Sequence, residues 1–159
     1  MVRSQILSQV RFLPRQWSNR AFSATSSSLD RWSDVVSRTQ KTLQVTEIAV
    51  SDLENELSGD SPSSSLDSPV VIDVREATEW KLGKIPHAIC LSRGVLELKI
   101  EKVVPVDSQR PIVLYCAGGY RSIMAAEALV RMGYNKDLLR SLKGGFGAWC
   151  KKGYAVEGN

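Results

Sequence analysis

The apolar positions of the second half of the chain fall into short continuous runs separated by stretches of helical spacing. Residues 69–74 (PVVIDV) form a β-branched run with no polar alternation until its end, the pattern of a strand covered on both faces. Similar short runs at residues 88–91, 111–115 and 138–142 predict three further strands. Between them, residues 77–81 predict a short helix, and the spacing of Val95, Leu98 and Lys102 predicts another over 95–103. Residues 122–132 (SIMAAEALVRM) make the strongest helix, ended by Gly133, and residues 146–151 make the last. Upstream, a β-prone stretch surrounds Val45 and Ile48. Ser51 and Glu54 then have capping-box spacing for a helix with Leu53 and Leu57 on its apolar edge. Residues 33–41 are polar and carry no assigned element. Strands alternating with helices at these spacings predict an α/β fold: a central, mostly parallel sheet with helices on both faces.

Two stretches break this rhythm. Residues 58–68 (SGDSPSSSLDS) contain six serines, a glycine and a proline, so they cannot bury a face and read as a mobile surface loop inserted within the domain. Residues 1–32 are rich in arginine and serine. Ile6, Val10 and Leu13 lie at helical spacing with Arg11 and Arg15 displaced from them, the make-up of an organelle transit peptide. Arg20-Ala21-Phe22-Ser23 resembles a mitochondrial processing site. The expectation is a mitochondrial matrix protein, with a plastid or cytoplasmic location as the alternatives.

Composition narrows the function. At 43% hydrophobic and 24% charged residues, 159 residues suit one globular domain. No run approaches the 18 apolar residues of a membrane span, so no membrane partner is expected. The net charge of +4 comes from four arginines within residues 1–29, a stretch with no acid. The remainder has 17 basic and 17 acidic residues, which removes the electrostatic case for nucleic-acid binding. Cys90, Cys116 and Cys150 are too scattered for a disulfide framework, and with the single His87 they offer no metal spacing.

The chemistry concentrates at Cys116. It ends a predicted buried strand and is followed by Ala117, Gly118, Gly119, Tyr120 and Arg121, with the best helix starting at Ser122. In open α/β sheets the carboxyl ends of strands line the ligand crevice. A small-residue loop there can turn its backbone N–H groups inward as an anion-binding nest, and the following helix adds the positive end of its dipole. Such a setting activates a thiol beside a bound anion. An isolated cysteine at a strand end is ordinarily a small buried hydrophobe. Cys90 and Cys150, which lack this context, take that reading.

These residues resemble the rhodanese-like sulfurtransferases. The resemblance spans residues 44–155, read as one single-domain unit after the leader. It rests on Val71-Ile72-Asp73-Val74-Arg75-Glu76 with Glu79-Trp80, then on Gly83-Lys84-Ile85-Pro86-His87-Ala88-Ile89 and the loop from Cys116 to Ser122. Leu142-Lys143-Gly144-Gly145 with Trp149 and Gly153 completes it. The second segment departs from the family's Gly-His-Ile-Pro-Gly-Ala form, with Lys84 in place of histidine and His87 in place of glycine. The resemblance implies that Cys116 takes a sulfane sulfur from a small anionic donor such as thiosulfate, becomes a persulfide, and passes the sulfur to a thiol such as glutathione or thioredoxin. That chemistry needs no metal and no organic cofactor.

If the strands are parallel, their ends deliver Arg75, Arg93 and Lys143 to the rim around Cys116, with Arg121 in the loop. The residues expected to bind substrate are therefore Ala117, Gly118, Gly119, Tyr120, Arg121, Lys143 and Arg75. Alternatively Asp73, Arg75 and Glu76 form a structural ion network, and Arg93 is a solvated charge. Two other functions use the same loop: a persulfide relay to a protein partner, and a non-catalytic binding module. The C-x4-R spacing from Cys116 to Arg121 is one residue shorter than the phosphate-enclosing loop of tyrosine phosphatases, which makes a phosphatase the lesser alternative.

Overall fold

The computed structural model describes residues 31–59 and 68–158. Residues 1–30 of the expected leader and residues 60–67 of the serine-rich loop lie outside the described residues, while the last two leader residues, Arg31 and Trp32, are described and Trp32 starts the first helix. The elements in chain order are α1 (Trp32–Leu43), β1 (Thr46–Ile48), α2 (Val50–Ser58), β2 (Val70–Asp73), α3 (Ala77–Trp80) and β3 (Ile89–Cys90). They continue with α4 (Leu96–Lys99), β4 (Ile112–Tyr115), α5 (Tyr120–Arg131), β5 (Leu139–Leu142) and α6 (Gly145–Lys151). The five strands form one sheet in the order β1-β5-β4-β2-β3, and every pairing is parallel.

The unbroken apolar runs have the cause inferred from their pattern: both faces of the sheet are covered. Val70, Ile72 and Val74 of the β2 run, with Ile112 and Leu114 of β4, pack on one face against Leu96, Ile100, Ala125 and Leu129. Val71, Val113, Tyr115 and Leu142 point the other way, onto Leu53 of α2 and Trp149 of α6. Alternate side chains of one strand thus feed two separate cores.

Three local expectations change. Residues 32–43 form a helix: α1 buries Val36 and lies along α5, and its first-turn Asp34 accepts a hydrogen bond from the Arg31 amide at 3.2 Å. Its apolar residues Trp32, Val35, Val36 and Leu43 do lie at helical spacing, but most positions between them are polar, and the helix owes its place to packing against α5. The helix after β1 starts at Val50, with Ala49 at its N-cap and the Asp52 carboxylate accepting from the Ala49 amide, so Ser51 lies inside the first turn. The stretch 95–103 is one turn of α-helix flanked by 3₁₀ turns. Its buried positions are Leu96 and Ile100, four apart, while Leu98 faces water.

His87, in the place of the family's glycine, adopts φ +61°, the left-handed conformation that glycine takes at least cost. Its amide donates to Glu157, which also pairs with Lys84 at 3.2 Å, so the two departures from the family pattern meet at the C-terminal segment.

Candidate active site

Strand order sets where a ligand can enter. The chain leaves β2 toward β3 on one side of the sheet and leaves β4 toward β5 on the other, so the carboxyl ends of β2 and β4 flank a topological switch point. Cys116 follows β4 directly. Across the switch point, the segment after β2 runs into α3, which carries Glu79.

The loop after Cys116 is pinned from behind. The carbonyls of Cys116 and Ala117 accept hydrogen bonds from the Phe146 and Gly147 amides at 2.7 and 2.9 Å, in the first turn of α6. The Gly119 carbonyl accepts from the Ser122 hydroxyl at 2.8 Å. With its carbonyls tied back, the loop turns the Gly119 amide toward the sulfur, its nitrogen 3.2 Å from Cys116 Sγ. The first turn of α5 begins at the next residue, where N–H groups have no partner within the helix. Cys116 is only 1% exposed, yet it lines an open depression of about 500 Å³ together with Trp32, Gly118, Tyr120 and Arg121. The thiol is a floor atom reached from above.

Two glycines make this geometry possible. Gly119 has φ +97°, and a side chain there would press to 3.3 Å on the Gly144 amide nitrogen. At Gly145, φ +55°, a Cβ would overlap the Cys116 carbonyl and stand 2.9 Å from that of Ala117. Gly118, expected to serve the same purpose, has open space where a Cβ would go.

The expected ring of cations is largely neutralised. Arg121 binds Glu79 with both terminal nitrogens, at 2.7 and 2.9 Å, in an ion pair that spans the switch point. That bond raises the guanidinium's pKa, and the neighbouring Cys116 adds to the effect, so its charge also reaches the sulfur. The bond holds the Glu79 carboxyl down to about 2. Arg75 does not reach the rim. It is 3% exposed, paired at 2.6 Å with the fully buried Asp73, donates to the Gly83 carbonyl at 2.7 Å and stacks over Phe146. Burial alone would lower its pKa, but the Asp73 hydrogen bond and charge outweigh this and raise it. Arg75 is thus a structural ion pair beneath the site, a correction to its expected role in binding substrate. Arg93 pairs with Glu97 on its own turn. Lys143 is exposed at the end of β5, where its amide is bonded to the Ile48 carbonyl, and it is not among the residues lining the depression.

Sequence reasoning gave no role to Glu79, Ser141 or Trp32. The Ser141 hydroxyl lies 2.9 Å from that of Ser122, which lies 3.9 Å from Cys116 Sγ, giving a buried hydroxyl chain beneath the loop. A polar residue inside the short apolar run of β5 was the available signal. The other cysteines differ from Cys116. Burial pushes the half-buried Cys90 thiol up, with Asp73 adding to it, and Cys150 is exposed on α6. Among the described residues no cluster of three potential metal ligands occurs, and no helix is long and apolar enough to cross a membrane.

The family model for the rhodanese-like domain matches residues 51–152. The chain is 31% identical over 105 residues to a sulfurtransferase of Allochromatium vinosum, covering 64% of this chain and 94% of that one. It is 34% identical over 80 residues to the thiosulfate sulfurtransferase GlpE of Coxiella burnetii, covering 50% of this chain and 70% of the relative. Among solved structures, a rhodanese-related protein from Thermoplasma volcanium superposes with a TM-score of 0.56 at 28% identity, over 70% of this chain and 97% of that one.

Proposed function

The chain belongs to the rhodanese-like domain family, and on that premise we propose that it is a sulfurtransferase working through a persulfide on Cys116. The observation that carries the reading is the position of Sγ at the floor of an open depression, 3.2 Å from an inward-facing loop amide. A recessed thiol admits the terminal atom of a donor. In the first step the Cys116 thiolate attacks the sulfane sulfur of thiosulfate or of an organic persulfide. The donor S–S bond breaks, and sulfite or a thiolate departs with the bonding pair. In the second step an acceptor thiolate attacks the outer sulfur and leaves as the new persulfide, which regenerates the Cys116 thiolate. Splitting the transfer in this way is covalent catalysis with ping-pong kinetics. The Gly119 amide, 3.2 Å from Sγ, and the adjoining α5 N-terminus would stabilise the Cys116 thiolate that attacks in the first step and leaves in the second.

The C-x4-R spacing from Cys116 to Arg121, one residue shorter than the phosphate-enclosing loop of tyrosine phosphatases, makes a phosphatase the lesser reading. Cys116→Ser should abolish transfer from thiosulfate to glutathione or cyanide, and mass spectrometry of the donor-treated protein should place one added sulfur on Cys116. Activity retained in the serine variant, or sulfur only on Cys90 or Cys150, refutes the proposal. The arginine-rich stretch of residues 1–29, which has no acid, supports import into the mitochondrial matrix as a further part of this reading. A reporter carrying residues 1–40 should enter the organelle and be shortened, and a cytosolic signal of unchanged mass would refute that part.

A further inference from the structure

The depression above Cys116 is walled by two aromatic side chains that the fold does not need for packing. Trp32 is the first residue of α1 and Tyr120 the first of α5, and the two twelve-residue helices lie side by side with both beginning at the cleft. Trp32 is 52% exposed and Tyr120 56%. The informative feature is that the two exposed rings adjoin at one cleft, because a contiguous apolar patch, unlike a single exposed ring, marks a ligand or partner site. Packing of α1 is supplied by Val36, which is buried, and by Leu43, which lies against the main core. Trp32 also lies outside residues 51–152, the stretch that matches the family model.

The charge at the cleft points the same way. Arg121 is the one cation among its lining residues, and Glu79 holds it. The cleft therefore offers a small dianion little beyond the loop amides, while it offers aromatic faces to carbon. Its volume of about 500 Å³ lies within the range of about 300–1,000 Å³ typical of sites for organic ligands. It far exceeds what an inorganic oxyanion fills.

We propose that Trp32 is a specificity-determining residue which, with Tyr120, grips the organic part of a peptide-sized thiol acceptor as its sulfur attacks the persulfide of Cys116. The proposal rests on the sulfurtransferase reading and adds which half of the reaction is selective, and by which residue. The indole would contact the acceptor's peptide backbone and methylenes, leaving loading from a small inorganic donor to the loop alone.

The test uses the full chain. With glutathione as acceptor, Trp32→Ala should raise the KM for persulfide discharge about tenfold, the worth of a well-placed aromatic contact. Loading from thiosulfate and discharge to cyanide should stay within about twofold, and Trp32→Phe should restore most of the affinity for glutathione. Equal losses in loading and in discharge would mean that Trp32 only supports the fold near the loop and would overturn the proposal, as would no change in either. A second measurement does not depend on sulfur transfer. S-methylglutathione, whose sulfur cannot react, should shift the Trp32 indole N–H resonance, identified by its loss in Trp32→Phe. No shift at millimolar ligand overturns the proposal. If Cys116 accepts sulfur from no donor, the transferase reading falls, while this titration still decides whether Trp32 binds such a ligand.

Discussion

Replacing Glu79 by glutamine keeps the shape of the side chain and removes its charge. In the folded protein its two oxygens take hydrogen bonds from Arg121 at 2.7 and 2.9 Å, and one also accepts from the Glu76 amide at 2.9 Å. These bonds, the Arg121 pair foremost, hold the carboxyl at about 2 against an ordinary value of 4.5. Taken whole, that depression corresponds to ~3 kcal/mol of stability at about 1.36 kcal/mol per pH unit. Both side chains are 30–31% exposed, and screening by solvent reduces the figure to about 1–2 kcal/mol. Folding lowers this pKa, so the contribution is complete at neutral pH, begins to fall near 4.5 and is lost as pH drops through about 2. Urea unfolding of wild type and Glu79→Gln at pH 7, 5, 4 and 3 should give a gap of about 1–2 kcal/mol at the two higher values. By pH 3 it should shrink to less than about half of that, with the urea slope unchanged throughout. A gap that stays constant down to pH 3, or that is absent at pH 7, refutes the assignment of this ion pair as the clasp across the switch point.

Gly145→Ala should cost about 1–3 kcal/mol, the usual price of overpacking, because the new Cβ meets the Cys116 and Ala117 carbonyls. Its persulfide loading should be slowed in stopped-flow measurements, whereas Gly118→Ala, with open space at its Cβ, should shift the thermal midpoint by no more than about 2 °C. Arg121→Met strands the Glu79 carboxylate and should lower both kcat for loading and stability. Lys143→Met should change only the thiosulfate KM, by about threefold or less, and that difference should vanish at high salt.

Much of this architecture was legible because continuous apolar runs admit few arrangements. Residues 70–73 and 112–115 read as strands covered on both sides, and they are the centre of the sheet. Cys116 stood out through its glycine-rich sequel and the helix that follows. The missed features depend on distance in space. Nothing near position 79 announces that its carboxylate meets an arginine 42 residues away, the contact that pairs the loop's own cation. Arg75 could be placed at a strand end from sequence, but whether it faced water or Asp73 depended on which way the segment after β2 folded. Trp32 was hidden by the polar sequence around it: Trp32, Val35, Val36 and Leu43 share one helical face, but residues 33–41 read as a polar stretch with no element.

The strand order also constrains the moment at which the protein can finish folding during synthesis. β1 lies at the edge of the sheet and pairs with β5, so Ile48 must wait for Leu142 about ninety residues later. At about 5–20 residues per second, a ribosome leaves that strand unmatched for roughly 5–20 s. Helix α1, which brings Trp32 to the cleft, waits similarly for α5. A chain stalled before residue 139 exposes the open edge of β4 along with an orphaned β1, a template for wrong pairing between nascent chains. The parallel, non-sequential sheet that gathers residues 32, 79 and 116 around one sulfur thus makes each molecule dependent, for some seconds, on whatever shields unpaired strands in the cell.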